Sequence, residues 1–122
     1  MDFELDKMYC GSVRRGDVFL FEDDKNIERA VLILQDSILN ERLPGVVVAA
    51  IEPYQKGERI FKNEVVLKSG ETGLGQDAVC KLYKISTVDR RKLVAKKGEL
   101  SQEYFSKVLE ALDLNLGRFR DE

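Results

Sequence analysis

Arg29 opens the run Arg29-Ala30-Val31-Leu32-Ile33-Leu34-Gln35, and the five residues after it are all apolar. A guanidinium stays charged at every physiological pH and cannot follow those residues into a core. It must stand at the mouth of a strand, either paired with an acid or facing a pocket. A second concentration of cations runs from Lys81 to Lys97, with Lys81, Lys84, Arg90, Arg91, Lys92, Lys96 and Lys97 against the single acid Asp89. That stretch is +6 in a chain of net charge −2, so the remainder carries −8. A local basic surface on an acidic protein can hold a phosphate backbone. The same lysines can equally do no more than solvate a pair of strands.

Other chemistries are excluded or weakened. There is no histidine, which removes the commonest general base and the commonest metal ligand together. Cys10 and Cys80 form no CxxC pair and read as free thiols in a reducing compartment. Ser69-Gly70-Glu71-Thr72-Gly73-Leu74-Gly75 holds three glycines, but their spacing fits neither GxGxxG nor a Gly-Lys-Ser/Thr phosphate loop, so the segment is a turn. Arg15-Gly16-Asp17 sits at the start of a strand and reads as a turn or bulge rather than an adhesion motif. No apolar run is long enough to span a membrane. The acidic start Met1-Asp2-Phe3-Glu4-Leu5-Asp6 is unlike a signal peptide, so the expected location is the cytoplasm.

The elements that must position these residues follow from pattern. The 122 residues suit one domain with a modest core. Strands are expected over Val13–Phe21, Arg29–Leu34, Val46–Ile51, Glu64–Lys68, Ala78–Thr87 and Leu93–Leu100. The continuous apolar run after Arg29 implies burial on both faces. Asp36 is placed to cap a short helix over Ser37–Glu41, Pro53 to end the third strand, and Asp89–Lys92 to form one helical turn. The clearest element is the last. Ser101 caps a helix whose apolar stripe is Tyr104, Phe105, Val108, Leu109, Leu112 and Leu116, and Gly117 stops it. The expected fold is mainly β with α, a small curled antiparallel barrel carrying a C-terminal helix. Residues 1–12 are expected to form an N-terminal arm, 13–117 the single domain and 118–122 a tail.

Four segments, in order, resemble the MazF/PemK/Kid family of toxins from toxin–antitoxin modules. Arg15-Gly16-Asp17-Val18-Phe19 resembles the family's opening strand. Arg29-Ala30-Val31-Leu32-Ile33-Leu34-Gln35 is similar to its Arg-Pro-Val-Leu-Val-Val-Gln strand, Val46–Ile51 to its Val-Val-Ala-Pro/Ala-Ile-Thr strand, and Ile85-Ser86-Thr87-Val88-Asp89 to its Gln-Ile-Arg-Thr-Ile-Asp segment. The resemblance spans roughly Arg14 to Leu116. It implies an SH3-like barrel of CcdB/MazF type, a homodimer, an acidic antitoxin segment as partner, and a metal-independent endoribonuclease without cofactors. Such an enzyme cuts single-stranded mRNA by attack of a ribose 2′-OH on the adjacent phosphate, a reaction that needs a base, an acid and a cation.

Carried over residue by residue, the resemblance puts Arg29 on the family's catalytic arginine. Glu52 stands where the family has a threonine or serine. It is either a base, if burial raises its pKa, or the structural partner of Arg29. Lys81 and Tyr83 fall where one branch has a catalytic arginine and aspartate. Arg15, Lys84, Ser86 and Thr87 are the implied RNA contacts, with Lys84 and Ser86 replacing a glutamine and an arginine. Thr87 and Asp89 match the family and suit holding the turn. The linker Glu22–Glu28 is a short acidic turn where the family has a longer loop that closes over RNA. These departures keep two other readings open. One is a noncatalytic or CcdB-like toxin that binds nucleic acid, gyrase or an antitoxin. The other is a generic SH3-like interaction module.

Overall fold

The computed structural model describes residues 8–118, and every structural statement below concerns those residues. Of the proposed arm and tail, residues 1–7 and 119–122 lie outside them. The order of elements is β1 (Asp17–Glu22), β2 (Glu28–Ile33), α1 (Ser37–Arg42), β3 (Gly45–Pro53), β4 (Glu64–Leu67), α2 (Ser69–Thr72), β5 (Ala78–Asp89), a 3-10 turn (Arg90–Lys92), β6 (Leu93–Glu99) and α3 (Gln102–Leu116). All six expected strands are present. They make one sheet in the order β4-β5-β3-β2-β1-β6, with every neighbouring pair antiparallel.

Strand alternation explains the long apolar runs. Val18, Leu32, Ala49, Ile51, Leu67, Cys80 and Leu82 point to one face and pack with Phe105, Val108 and Ala111 of α3. Phe19, Val31, Ile33, Val46, Val48 and Leu93 point to the other and form a second core with Val13. Successive residues such as Val31, Leu32 and Ile33 therefore divide between two cores, and each is nearly or wholly removed from water. Tyr9 belongs to the second core. Its ring meets Phe19 edge-on at 4.8 Å, and its N–H donates to the Leu93 carbonyl. The last residues of the expected arm are thus anchored on the sheet.

A closed barrel is not found, because β4 and β6 end the sheet and do not pair. The gap is bridged by α2. Its C-cap, Gly73, has φ +71 and lies so close to β6 that a Cβ there would run into the Lys97 carbonyl. A Cβ on Gly98 would in turn stand 2.6 Å from the Thr72 carbonyl oxygen. The Ser101 N–H donates to the Glu71 carboxylate at 2.8 Å. Two backbones in van der Waals contact, without side chains between them, do the closing that a strand pair would do in a barrel. The glycine segment read as a bare turn therefore contains a helical turn with this task.

The local signals at helix ends hold. Asp36 accepts from the Ile38 N–H, Ser101 accepts from the Tyr104 N–H, and Gly117 ends α3 in the left-handed conformation. The apolar stripe of α3 is shorter than expected. Ala111 takes a core position and Leu116 is 67% exposed. β1 begins at Asp17 rather than Val13, because a turn precedes it. The Asp17 carboxylate accepts from the Arg14 N–H at 2.8 Å, and the Asp17 N–H donates to the Arg14 carbonyl. Among the described residues no helix is long and apolar enough to cross a membrane.

Candidate active site

Arg29 stands near the start of β2, across from Phe21 of β1. The turn between those strands holds it. Oδ1 of Asp23 accepts from the N–H groups of Lys25 at 2.9 Å and Ile27 at 3.0 Å. Oδ2 of the same carboxylate accepts from Arg29 Nε at 2.8 Å. Asp23 is a natural residue for this work, since an Asx side chain can close a turn on backbone donors just beyond it. The hydrogen bond from Arg29, first among several, lowers the Asp23 pKa below the ordinary aspartate range. The Arg29 side chain stays 59% exposed. The acidic turn thus supplies the partner that the sequence demanded for Arg29, and that partner is not Glu52.

Glu52 lies near the end of β3. Ala30 is paired with Ile51, so Arg29 and Glu52 are the residues immediately past that pair on adjacent strands. The cations that reach Glu52 come from the other side. Ala49 pairs with Ile85 but Ala50 pairs with Lys81, so Leu82, Tyr83 and Lys84 bulge out of register. Leu82 turns into the core beneath α3 while Tyr83 and Lys84 are exposed. The bulge re-aims the strand. Lys84 Nζ lies 2.8 Å from Glu52 Oε2 and Lys81 Nζ 3.2 Å from Oε1. Lys81 is also 4.0 Å from the buried Glu64.

These pairs settle the charge states. The Lys84 hydrogen bond, chief among the causes, and the Lys81 pair lower the Glu52 pKa against a smaller effect of burial. The hydrogen bond to Glu52 leads in raising the Lys81 pKa, and Tyr83 adds a lesser contribution. The idea that burial raises the Glu52 pKa fails, because two ammonium groups outweigh desolvation. Asp89 and Glu99 are lowered in the same sense by Arg91 and Lys96. Carboxylates whose pKa falls on folding add stability that is complete above their unfolded values and lost as pH drops through the folded ones. With no histidine to titrate, Tm is expected to stay level from about pH 5.5 to 8. It should then fall below the ordinary glutamate value of 4.5. Thermal melts from pH 8 to 3 check this, and a step near pH 6.5 would contradict it.

The ends of β2 and β3 and the bulged part of β5 enclose an open groove of about 570 Å³. Its apolar wall includes Phe21, Val31, Val48 and Ile85, and its polar groups include Arg29, Glu52, Lys84 and Ser86. Four of the eight predicted site residues therefore share one groove. Lys81 and Tyr83 do not line it, though Lys81 is tied to it through Glu52. Arg15 is elsewhere: its guanidinium stacks 4.9 Å from the centre of the Phe105 ring on α3, and its N–H donates to Ser37 Oγ. Thr87 pairs with Val47 and is not part of the groove wall.

The expected basic surface is also dispersed. Lys81 and Lys84 bind Glu52, Arg91 pairs with Asp89, and Lys96 joins Asp17 and Glu99. Arg90 donates to the carbonyls of Asn40 and Gly11, and Asp89 caps the 3-10 turn through the Arg91 N–H. Sequence reasoning missed Asp23 and Glu64. The available signal for Asp23 was an acid in a hairpin turn followed by an arginine where the next strand begins. Among the described residues no group of three or more Cys, Asp or Glu could hold a metal ion.

An antiparallel six-stranded sheet with a C-terminal helix on one face and a cation-bearing groove at its strand ends defines a small, mainly β domain. The chain belongs to the PemK-like, MazF-like toxin family of type II toxin–antitoxin systems, whose sequence model matches residues 14–116. It is 31% identical to the endoribonuclease EndoA of Bacillus subtilis (strain 168) over 110 residues, covering 85% of this chain and 94% of that protein. It is 32% identical to the endoribonuclease MazF of Staphylococcus epidermidis over 111 residues, covering 86% and 92%. Among solved structures it is similar to a mycobacterial endoribonuclease in complex with its cognate antitoxin, with TM-score 0.75 at 20% identity over 87% of this chain and 96% of that one. It also resembles the Mycobacterium tuberculosis toxin MazF-mt6, with TM-score 0.71 at 24% identity over 83% and 96%.

Proposed function

We propose that this chain is an endoribonuclease toxin that cuts single-stranded RNA in the cytoplasm, without metal, and is neutralised by an acidic segment of a cognate antitoxin lying in the same groove. The homodimer implied by the family resemblance is its working form, and residues 13–117 make up the functional domain. The observation that carries the reading is Arg29, held at the rim of a groove by Nε alone while its terminal nitrogens have no partner among the described residues.

In the reaction the 2′-oxygen attacks phosphorus, its proton leaves to a base, the P–O5′ bond breaks, and the 5′-oxygen takes up a proton. The products are a 2′,3′-cyclic phosphate and a 5′-hydroxyl. Arg29 stabilises the charge that builds on the phosphorane oxygens. Glu52 is ionised at neutral pH and, with its oxygens held by Lys84 and Lys81, it positions those cations rather than taking the 2′-OH proton. Lys84 and Ser86 contact the RNA backbone. Lys81 holds Glu52, and Tyr83 beside it is the candidate proton donor.

The test is incubation of the purified chain with single-stranded RNA, with and without chelator. Cleavage that survives the chelator and leaves cyclic phosphate ends is the expected result. Intact RNA would overturn the reading in favour of a toxin that binds without cutting.

A further inference from the structure

We propose that Asp23 is the positioning residue of Arg29, holding it by Nε so that its terminal nitrogens face a phosphate as a ready fork. The inference deepens the reading above and rests on it. Asp23 divides its two oxygens between two tasks. Oδ1 is tied to the turn by the N–H groups of Lys25 and Ile27, while Oδ2 receives Arg29 Nε. The turn itself is tight. The Asn26 N–H donates to the Asp23 carbonyl, and the Asp23 N–H donates to the Ile27 carbonyl. Asn26 sits at φ 61, in the left-handed region that asparagine tolerates. The carboxylate is therefore fixed before it meets the arginine.

A contact through Nε alone has a consequence for what remains. A guanidinium bound fork to fork by a carboxylate would have fewer donors left for a phosphate. Bound at Nε only, it keeps both terminal nitrogens, and none of their donors has a partner among the described residues. Nor does Glu52 compete, since its two oxygens are taken by Lys81 and Lys84. The two acids thus divide the cations of the site. An arginine that is 59% exposed would otherwise have to be ordered as charge builds on the phosphorane oxygens. Holding it beforehand removes part of that cost from the reacting complex.

Asparagine at position 23 separates the two tasks. Its carbonyl oxygen can still accept from Lys25 and Ile27, whereas its amide cannot accept from Arg29. The experiment compares the wild-type chain, Asp23→Asn, Arg29→Ala and the double variant. It measures single-turnover cleavage of a single-stranded oligoribonucleotide, KM, Tm, and the nitrogen-15 signal of the Arg29 Nε–H group. For Asp23→Asn the expected result is a rate at saturating RNA lower by about three- to tenfold. KM should stay within about twofold, Tm should be unchanged, and the Arg29 Nε–H should exchange faster with water. In the Arg29→Ala background the substitution should do nothing further. If the wild type leaves RNA intact, the cleavage reading fails and this inference falls with it. If the wild type cuts but Asp23→Asn cuts equally fast, or its Arg29 Nε–H signal is unaltered, positioning by Asp23 is overturned while the cleavage reading stands.

Discussion

Arg29→Ala is expected to lower the rate of RNA cleavage by about 10²- to 10³-fold, the range found when one preorganised donor to a developing oxyanion is removed. That corresponds to about 2.7–4 kcal/mol of transition-state stabilisation. The loss should fall on the rate at saturating RNA. A ground-state phosphate can also be held by Lys84, whereas the phosphorane oxygens gain charge that needs a cation at the scissile position. Stability should barely move, because the Arg29 side chain is mostly in water and its partner Asp23 keeps its own backbone hydrogen bonds when the guanidinium is gone. Rate measurements paired with thermal melts check both halves. Arg29→Lys should recover only part of the activity. The charge returns, but a shorter point charge can neither reach Asp23 in the same way nor offer a planar fork. If Arg29→Ala still cuts RNA at the wild-type rate, Arg29 has no part in catalysis.

What could be read in the sequence divides along a physical line. Signals whose cause is local were legible: Asp36 and Ser101 as caps, Gly117 as a stop, Asp89 on its own turn, and the runs after Arg29 and Val46 as strands buried on both faces. The need of Arg29 for a partner was legible too, since it follows from burial of the residues after it. The identity of the partner was not. Glu52 was the nearer acid by strand register, but the three-residue bulge in β5 brings Lys84 and Lys81 to it instead. A bulge of that kind depends on the fit of two strands far apart in sequence and leaves no periodic trace. The same limit applies to the open edge between β4 and β6. Three glycines announced a turn, but not that Gly73 would pass against β6 and take the place of a strand pair. The cations from Lys81 to Lys97 are a run only in sequence. In space they are dispersed over β5, the 3-10 turn and β6, where Lys81 and Lys84 pair with Glu52, Arg91 with Asp89, and Lys96 with Asp17 and Glu99.

Phe19→Ala is expected to be the costliest substitution for stability, at about 3–5 kcal/mol. Phe19 is wholly buried among Val31, Ile33, Val46, Val48 and Leu93, with Tyr9 against its edge. Among the described residues no helix contributes an apolar side chain to this second core, so a removed ring leaves a void that has to be filled by side chains of the sheet and the Tyr9 segment. In the other core, α3 could shift towards a smaller residue. A domain of this size holds about 5–15 kcal/mol in all, so the loss is a large share. Tm should drop by about 12–20 °C. Val31 and Val48 both touch this core and line the groove, so the damage reaches the site's apolar wall. It does not reach the turn that holds Arg29. Cleavage per folded molecule, measured well below the new Tm, should therefore stay within a few-fold of wild type. Chemical denaturation separates the outcomes. A loss below about 1 kcal/mol would mean the second core closes around the missing ring and is not the rigid support of β2. A large loss with activity retained at low temperature would place stability and catalysis on different residues of the same two strands, Phe19 beneath and Arg29 at the mouth.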